Sequence, residues 1–174
     1  REFSHPSTEK APTDLNAAIR STVTVASSEW KYVADLATEM DEALPPVPCV
    51  LGEFNQVILN LIVNAAHAIG DCEHIDVARK GTITIRTRAV GDGAEIEVED
   101  TGTGMTDEVK ARMFDPFFTT KPLGKGTGQG LMLVHAVIVK KLGGQIRVRS
   151  EPGRGTLITM RLPLLDFESE GVAA

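Results

Sequence analysis

An α/β sandwich, with a mixed and mainly antiparallel β-sheet and helices packed on one face, is the fold class the sequence predicts. Three observations lead there. Residues 81–90 (GTITIRTRAV) and 94–100 (AEIEVED) alternate apolar with polar and are separated by Gly91-Asp92-Gly93, a hairpin signal. Residues 52–69 place Phe54, Val57, Ile58, Leu61, Ile62, Ala65 and Ile69 at i, i+3, i+4, i+7 spacing, the stripe of a long helix lying on other structure. Strands and helices do not alternate one for one, which excludes a βαβ dinucleotide fold.

The elements follow in order. Residues 1–13 (REFSHPSTEKAPT) are polar, carry two prolines and read as a linker. Asp14 can cap a helix from Leu15 to about Ser27, with Leu15, Ala18, Ile19 and Val23 on its apolar side. Residues 31–40 (KYVADLATEM) alternate as a strand with Tyr32, Ala34, Leu36 and Met40 on one side, and Trp30 and Tyr32 are expected to pack. Pro45, Pro46 and Pro48 stop that strand, and the helix over 52–69 follows. Residues 71–80 form a polar loop before the hairpin. A short helix is predicted near Thr106–Met113, then a loop from Phe114 to Gly128, then a helix from Gln129 to Leu142. Gly143-Gly144 lead into a strand over 145–150, the turn EPGRG follows, and a last strand runs from Thr156 to Leu162. The division is a linker over 1–13, one domain over 14–165 and a tail over 166–174.

At 174 residues, 42% hydrophobic and 24% charged, the chain can bury one domain-sized core. The net charge of −6 disfavours nucleic acid or an anionic membrane as the main partner. No apolar run approaches the ~18 residues of a spanning helix, and no basic-then-apolar leader opens the chain. Cys49 and Cys72 make neither a disulfide framework nor a four-thiolate zinc site, so a reduced, cytoplasmic compartment is expected.

Four segments carry chemistry. Asn60 and Asn64 lie four apart, on one face of the long helix. Two neutral amides there can ligate a hydrated divalent cation and touch phosphate oxygens; taken alone, they also fit hydrogen-bonded helix asparagines. Asp100-Thr101-Gly102-Thr103-Gly104-Met105 puts a carboxylate at a strand end, with glycines that let backbone pass close to a flat ligand. That carboxylate can accept from an exocyclic amine such as adenine's, although a tight turn has the same pattern. Gly124-Lys125-Gly126-Thr127-Gly128-Gln129-Gly130 opens a helix, where free N–H groups and the dipole suit phosphate, with Lys121 and Lys125 adding charge; a flexible glycine loop is the plainer reading. It is not a P-loop, because no G-K-[ST] follows at the required spacing. Three of the six phenylalanines, Phe114, Phe117 and Phe118, sit beside this loop and would anchor its base to the core while the glycines move as a lid.

Together, in this order, the four segments resemble the catalytic ATP-binding domain of two-component sensor histidine kinases, of the nitrogen-regulation or hybrid type. That domain belongs to the Bergerat-fold (GHKL) superfamily with gyrase-type ATPases, heat-shock-90 chaperones and MutL proteins. NQVILNLIVNAAHAI is similar to the N box, DTGTGM to the G1 box, FDPFFTTK to the F box, GKGTGQGLMLV to the G2 box and GRGTLITMRLP to the closing strand. The resemblance covers roughly residues 14–165.

It implies a Bergerat fold that binds ATP with Mg2+. Asn64 would be the metal ligand and Asn60 a phosphate or metal-water contact. Asp100 would receive the adenine amino group, Gly102 and Gly104 would shape the pocket, and Thr156 would support its Asp100 end. Gly126, Gly128 and Gly130 would wrap the phosphates. His67, Met105, Lys121, Lys125, Thr127 and Leu131 complete the implied nucleotide-binding set, with Asn60 and Lys121 as the catalytic pair. The reaction implied is transfer of the γ-phosphoryl to a histidine, mostly by positioning and charge neutralisation. In the hydrolytic relatives the position of Asn60 is a water-activating glutamate; an amide cannot be that base, which points to a kinase rather than an ATPase.

Two positions depart from the family pattern: His67 stands where many relatives carry lysine, and Gln129 where leucine is usual. The loop residues Asp71, Cys72, Glu73, His74 and Asp76, with His67, match no zinc spacing and read as solvated. None of His5, His67, His74 and His135 has the setting of a phosphoacceptor; His5 is followed by Pro6, which disfavours a helix there. The expected partners are therefore ATP, a histidine-bearing dimerisation domain of the same parent kinase and, indirectly, a response-regulator receiver. The chain alone is expected to bind Mg-ATP without autophosphorylating, and the parent is compatible with a membrane anchor. The competing readings are an anti-sigma-factor-type serine kinase and a degenerate nucleotide-binding interaction module.

Overall fold

The computed structural model describes residues 9–115 and 130–164. Its main sheet has five strands: β2 (Ala34–Glu39), β4 (Gly81–Val90), β5 (Gly93–Asp100), β6 (Gln145–Glu151) and β7 (Gly155–Pro163). Their order is β2-β4-β5-β7-β6, with β2 parallel to β4 and every other pair antiparallel. Helices α1 (Leu15–Val25), α2 (Ser27–Trp30), α3 (Leu51–Gly70), α4 (Asp107–Arg112) and α5 (Gly130–His135) complete the main set, and α5 continues as a π-helix over Ala136–Lys141. The mixed, mostly antiparallel sheet with helices on one face is the fold class expected from the sequence.

The period-2 pattern is what divides the sheet. Ile83 and Ile85 of β4, Ala94, Ile96 and Val98 of β5, and Ile158, Met160 and Leu162 of β7 point to one side and are buried. Against them α3 lays Phe54, Val57, Ile58, Leu61, Ile62, Ala65, Ala66 and Ile69, all buried. Each large side chain so buried contributes on the order of 1.5–3 kcal/mol, so α3 is held by its packing rather than by its cap, which has no side-chain hydrogen bond. The opposite face is polar. There Arg86 reaches Glu39 (2.9 Å), Glu99 (2.8 Å) and Glu97 (3.6 Å), and Arg88 reaches Glu95 (2.7 Å). These opposite-charge cross-strand pairs keep the exposed sheet face soluble.

Three elements differ from the sequence-based expectation. Ala11–Thr13, assigned to the linker by its prolines, is a short strand β1, paired antiparallel with β3 (Val47–Cys49) as Ala11↔Cys49 to Thr13↔Val47. Pro12 faces Pro48, and two prolines fit because neither strand has a second neighbour among the described residues that needs their missing N–H. The strand expected over 31–40 begins only at Ala34: residues 27–30 are helical and Trp30 donates its Nε1–H to the Val23 carbonyl at 3.1 Å. Trp30 does pack, but Tyr32 is 63% exposed with Lys31 Nζ 5.1 Å from its ring, which corrects its expected place in the core. Finally, the helix expected over 129–142 is α-helical for its first turns and π-helical after His135.

Candidate functional site

The end of β5 places Asp100 at the inner edge of the sheet, level with Thr156 of β7, which pairs in turn with Ser150 of β6. Cross-strand neighbours share a face, so the three side chains stand side by side. Asp100 is 8% exposed. Its Oδ1 accepts the Gly102 N–H at 2.8 Å, and the Thr156 N–H also donates to the carboxylate. Burial raises its pKa to about 6; the two N–H bonds counter the shift in part and neighbouring Glu99 adds to it. A carboxylate that has lost water and meets two backbone donors among the described residues keeps lone pairs for a ligand.

The glycines beside it are required by contact. A Cβ on Gly102 would stand 2.6 Å from Ala68 Cβ and 2.8 Å from Asp100 Oδ1, so this backbone lies flat on α3. Thr103 N–H reinforces the contact by donating to the Ala68 carbonyl at 3.1 Å. Gly104, at φ +70°, would put a Cβ 2.0 Å from the Glu151 carbonyl oxygen, and Gly153 N–H donates to Thr103 O at 2.7 Å. The 101–105 loop is thereby clamped between α3 and the β6–β7 turn. Met105 is half-buried, and its N–H donates to Ser150 Oγ at 2.8 Å.

On α3, residues 56, 60, 64 and 68 recur every fourth position and form one stripe. Gln56 Nε2 donates to Asn60 Oδ1 at 2.9 Å, and Asn60 Nδ2 donates to the Gly130 carbonyl at 3.2 Å. Asn60 thus meets the first residue of α5, while Ala68 meets the glycine loop below Asp100. The two contacts are ~12 Å apart along the helix, and Asn64 lies midway between them. Asn64 is half-buried and its amide has no hydrogen-bond partner among the described residues. His67 is half-buried near the last turn of α3. Leu131 packs on the core, and the Phe114 and His135 rings meet at 5.6 Å.

Of the residues singled out from sequence, Asn60, Asn64, His67, Asp100, Gly102, Gly104, Met105, Gly130, Leu131 and Thr156 are described, and the contacts above tie Asn60 to Gly130 and Asp100 to Gly102 and Thr156. Phe117, Phe118, Lys121, Lys125, Gly126, Thr127 and Gly128 lie outside the described residues, as does the expected lid. Three contributors escaped the sequence reading: Gln56, Ala68 and Ser150. Ser150 had a usable signal, since alternation from Ile146 and Val148 turns position 150 inward, where a polar side chain needs partners.

An open groove of about 840 Å³ runs between α4 and the β6–β7 turn, walled by Asp107, Lys110, Arg149 and Arg154 with Asp100, Ser150 and Thr156. None of its lining residues comes from α3, so it is not the cleft that the asparagine stripe faces. No cluster of three or more His, Cys, Asp or Glu side chains is placed to hold a metal among the described residues. Among the described residues no helix is long and apolar enough to cross a membrane.

Residues 51–166 match the family described as histidine kinase-, DNA gyrase B- and HSP90-like ATPases. The chain is 41% identical over 148 residues to the sensor kinase CckA of Brucella abortus, covering 75% of this chain and 15% of that protein. It is 36% identical over 166 residues to the signal transduction histidine-protein kinase AtoS of Escherichia coli, covering 94% of this chain and 26% of that protein. Among solved structures, the catalytic domain of the histidine kinase ThkA superposes with a TM-score of 0.75 at 27% identity, covering 90% of this chain and 96% of that one. The chain therefore spans well under a third of the curated relatives named here.

Proposed function

Because the chain belongs to the family of histidine kinase-, DNA gyrase B- and HSP90-like ATPases, we propose that it is the ATP-binding catalytic part of a sensor histidine kinase, acting on a histidine outside this chain. The observation that carries the reading is the buried Asp100 carboxylate with two backbone donors and spare lone pairs, set at one end of an amide stripe. Asp100 accepts a hydrogen of the adenine amino group. Asn60, ~12 Å along α3 from Ala68, gives one Nδ2 hydrogen to the Gly130 carbonyl and keeps the other for the phosphate end, with Gln56 holding its oxygen. Asn64, whose amide oxygen is uncommitted, is the residue fitted to ligate Mg2+, which when bound neutralises phosphate charge. Lys121 and Lys125, with Gly126, Thr127 and Gly128, belong to the same proposal through the family motif they spell.

Position 60 favours transfer over hydrolysis. An amide already bonded on both sides cannot deprotonate water. In the transfer, an imidazole nitrogen of the dimerisation domain forms a bond to the γ-phosphorus as the β,γ-bridging P–O bond breaks. ADP leaves and the imidazole proton passes to solvent. The domain contributes position and charge neutralisation. The two free cysteines and the need for ATP suit a cytoplasmic setting, and a response-regulator receiver would take the phosphoryl group from the histidine.

The test mixes the chain with radiolabelled Mg-ATP and a dimerisation domain from a related sensor kinase. Acid-labile, base-stable phosphate on the added domain, and none on the chain alone, is expected. Phosphoserine would favour the anti-sigma-factor type of kinase. ATP binding without transfer to any partner would favour a docking module.

A further inference from the structure

Ser150 has no place in the motifs that identify this site, yet it is buried at 7% exposure and its hydroxyl makes three hydrogen bonds beside the carboxylate. It is 2.8 Å from Met105 N, 3.0 Å from the Gly155 carbonyl and 2.8 Å from Thr156 Oγ1. The polarity of this hub can be worked out. Met105 N–H can only donate, so Ser150 Oγ accepts it. The Gly155 carbonyl can only accept, so the single Ser150 hydrogen goes there. Thr156 must then be the donor in the remaining bond, and its hydroxyl hydrogen points at Ser150. What Thr156 turns toward Asp100 and the adjoining space is lone pairs alone.

We infer that Ser150 is a specificity-determining positioning residue: by committing the Thr156 hydroxyl hydrogen, it makes Asp100 and Thr156 a pair of acceptors that admits a 6-amino purine and rejects a 6-oxo purine. The inference rests on the assignment of Asp100 to the base. A 6-amino group offers two hydrogens to such a pair. A 6-oxo group sets a further acceptor against the pair, and the N1 hydrogen that comes with it lies one ring position away, so the pair is satisfied only if the base shifts. Ser150 touches no nucleotide atom in this account. It acts through Thr156, and it also ties the glycine loop at Met105 to the turn at Gly155, which keeps the two acceptors level.

The experiment compares the Kd of ATP and of inosine triphosphate, both with Mg2+, by titration calorimetry. The two share sugar and phosphates and differ in the 6-substituent and, with it, at N1, which is a lone pair in adenine and an N–H in hypoxanthine. The parent protein is expected to prefer ATP by at least about 10-fold, and Ser150→Ala to shrink that ratio by about 5-fold or more, because the freed Thr156 hydrogen can turn to the 6-oxo group. Thr156→Val removes the acceptor itself and is expected to narrow the ratio as well; adding Ser150→Ala to it should change the ratio no further. A general loss of stability would lower both affinities alike and leave the ratio alone. A folded Ser150→Ala protein with the parent's ratio overturns the inference. Should that variant not fold, Thr156→Val decides: full discrimination there overturns it equally. A parent that binds both nucleotides equally would instead sink the assignment of Asp100 to the base.

Discussion

Replacing Asp100 by asparagine separates what the residue does for binding from what it does to stability, and the two effects have opposite signs. In the folded chain the carboxyl holds its proton up to about pH 6, whereas its ordinary value is 3.8. Between those values the native state binds more protons than the unfolded one, so this group's contribution to stability falls as pH rises and levels off above 6. The displacement amounts to about 3 kcal/mol for keeping the ionised form inside. Asparagine keeps the acceptor oxygen for Gly102 and Thr156 and carries no charge. Asp100→Asn is therefore expected to be up to about 3 kcal/mol more stable than the parent at pH 8, and equal to it near pH 4. Thermal unfolding across that range measures the difference, at 2–4 °C in Tm per kcal/mol for a domain of roughly this size. Nucleotide affinity should move the other way. An amide N–H facing an amino group mispairs one buried polar contact and weakens ATP by on the order of 1–3 kcal/mol, or about 5- to 150-fold. A variant that binds ATP as tightly as the parent, or one that melts lower at pH 8, would refute this reasoning.

Three further outcomes are expected. The parent's ATP affinity should be flat above pH 7 and fall toward 10-fold per unit below about pH 6, as the carboxylate takes up its proton, while Asp100→Asn shows no such limb; calorimetry at several pH values checks this. Asn64→Ala should change stability by less than about 0.5 kcal/mol, because the amide has no partner among the described residues, yet abolish the gain in ATP affinity that Mg2+ gives over EDTA. An unchanged Mg2+ effect would remove Asn64 from the metal. Gly104→Ala must place a Cβ 2.0 Å from a backbone carbonyl oxygen at φ +70°, and is expected to cost about 3 kcal/mol or more in denaturant unfolding.

Much of the sheet could be read in advance because its alternation is regular. From Gly81 to Val90 every second residue is inward through Thr87, and the hairpin glycines mark the reversal. Helix α3 was legible for the same reason, its apolar residues keeping a 3.6 period over 20 positions. Misreadings arose where a local pattern fitted two periods. Residues 31–33 continue the alternation of β2 but are spent on turning out of α2, and Tyr32 is carried into solvent. Ala11–Thr13 looked like linker because proline argues against strands, and only the distant Val47–Cys49 shows what pairs with it. At the site, Asn60, Asn64 and Asp100 were visible as chemistry in fixed spacing. Ala68 was not, because its role comes from contacts 34 to 35 residues away with Gly102 and Thr103, which no short window holds; Ser150 shows in the sequence only as an inward polar position, and its link to Met105, 45 residues away, appears only in the fold.

Helix α3 grips the core with one side and presents its amides on another, and both sides are counted off by the same backbone repeat. One residue inserted between Phe54 and Asn60 would turn the amides and every apolar residue after the insertion about 100° relative to Phe54, while leaving the apolar inventory intact. The helix could then seat its first apolar residue or its later ones but not both, and the join of Asn60 to Gly130 would move with the choice. Drift in outward side chains other than the amides is thus cheap here, and a change in chain length is not. Variants of this domain should differ in spelling along that stretch long before they differ in its count.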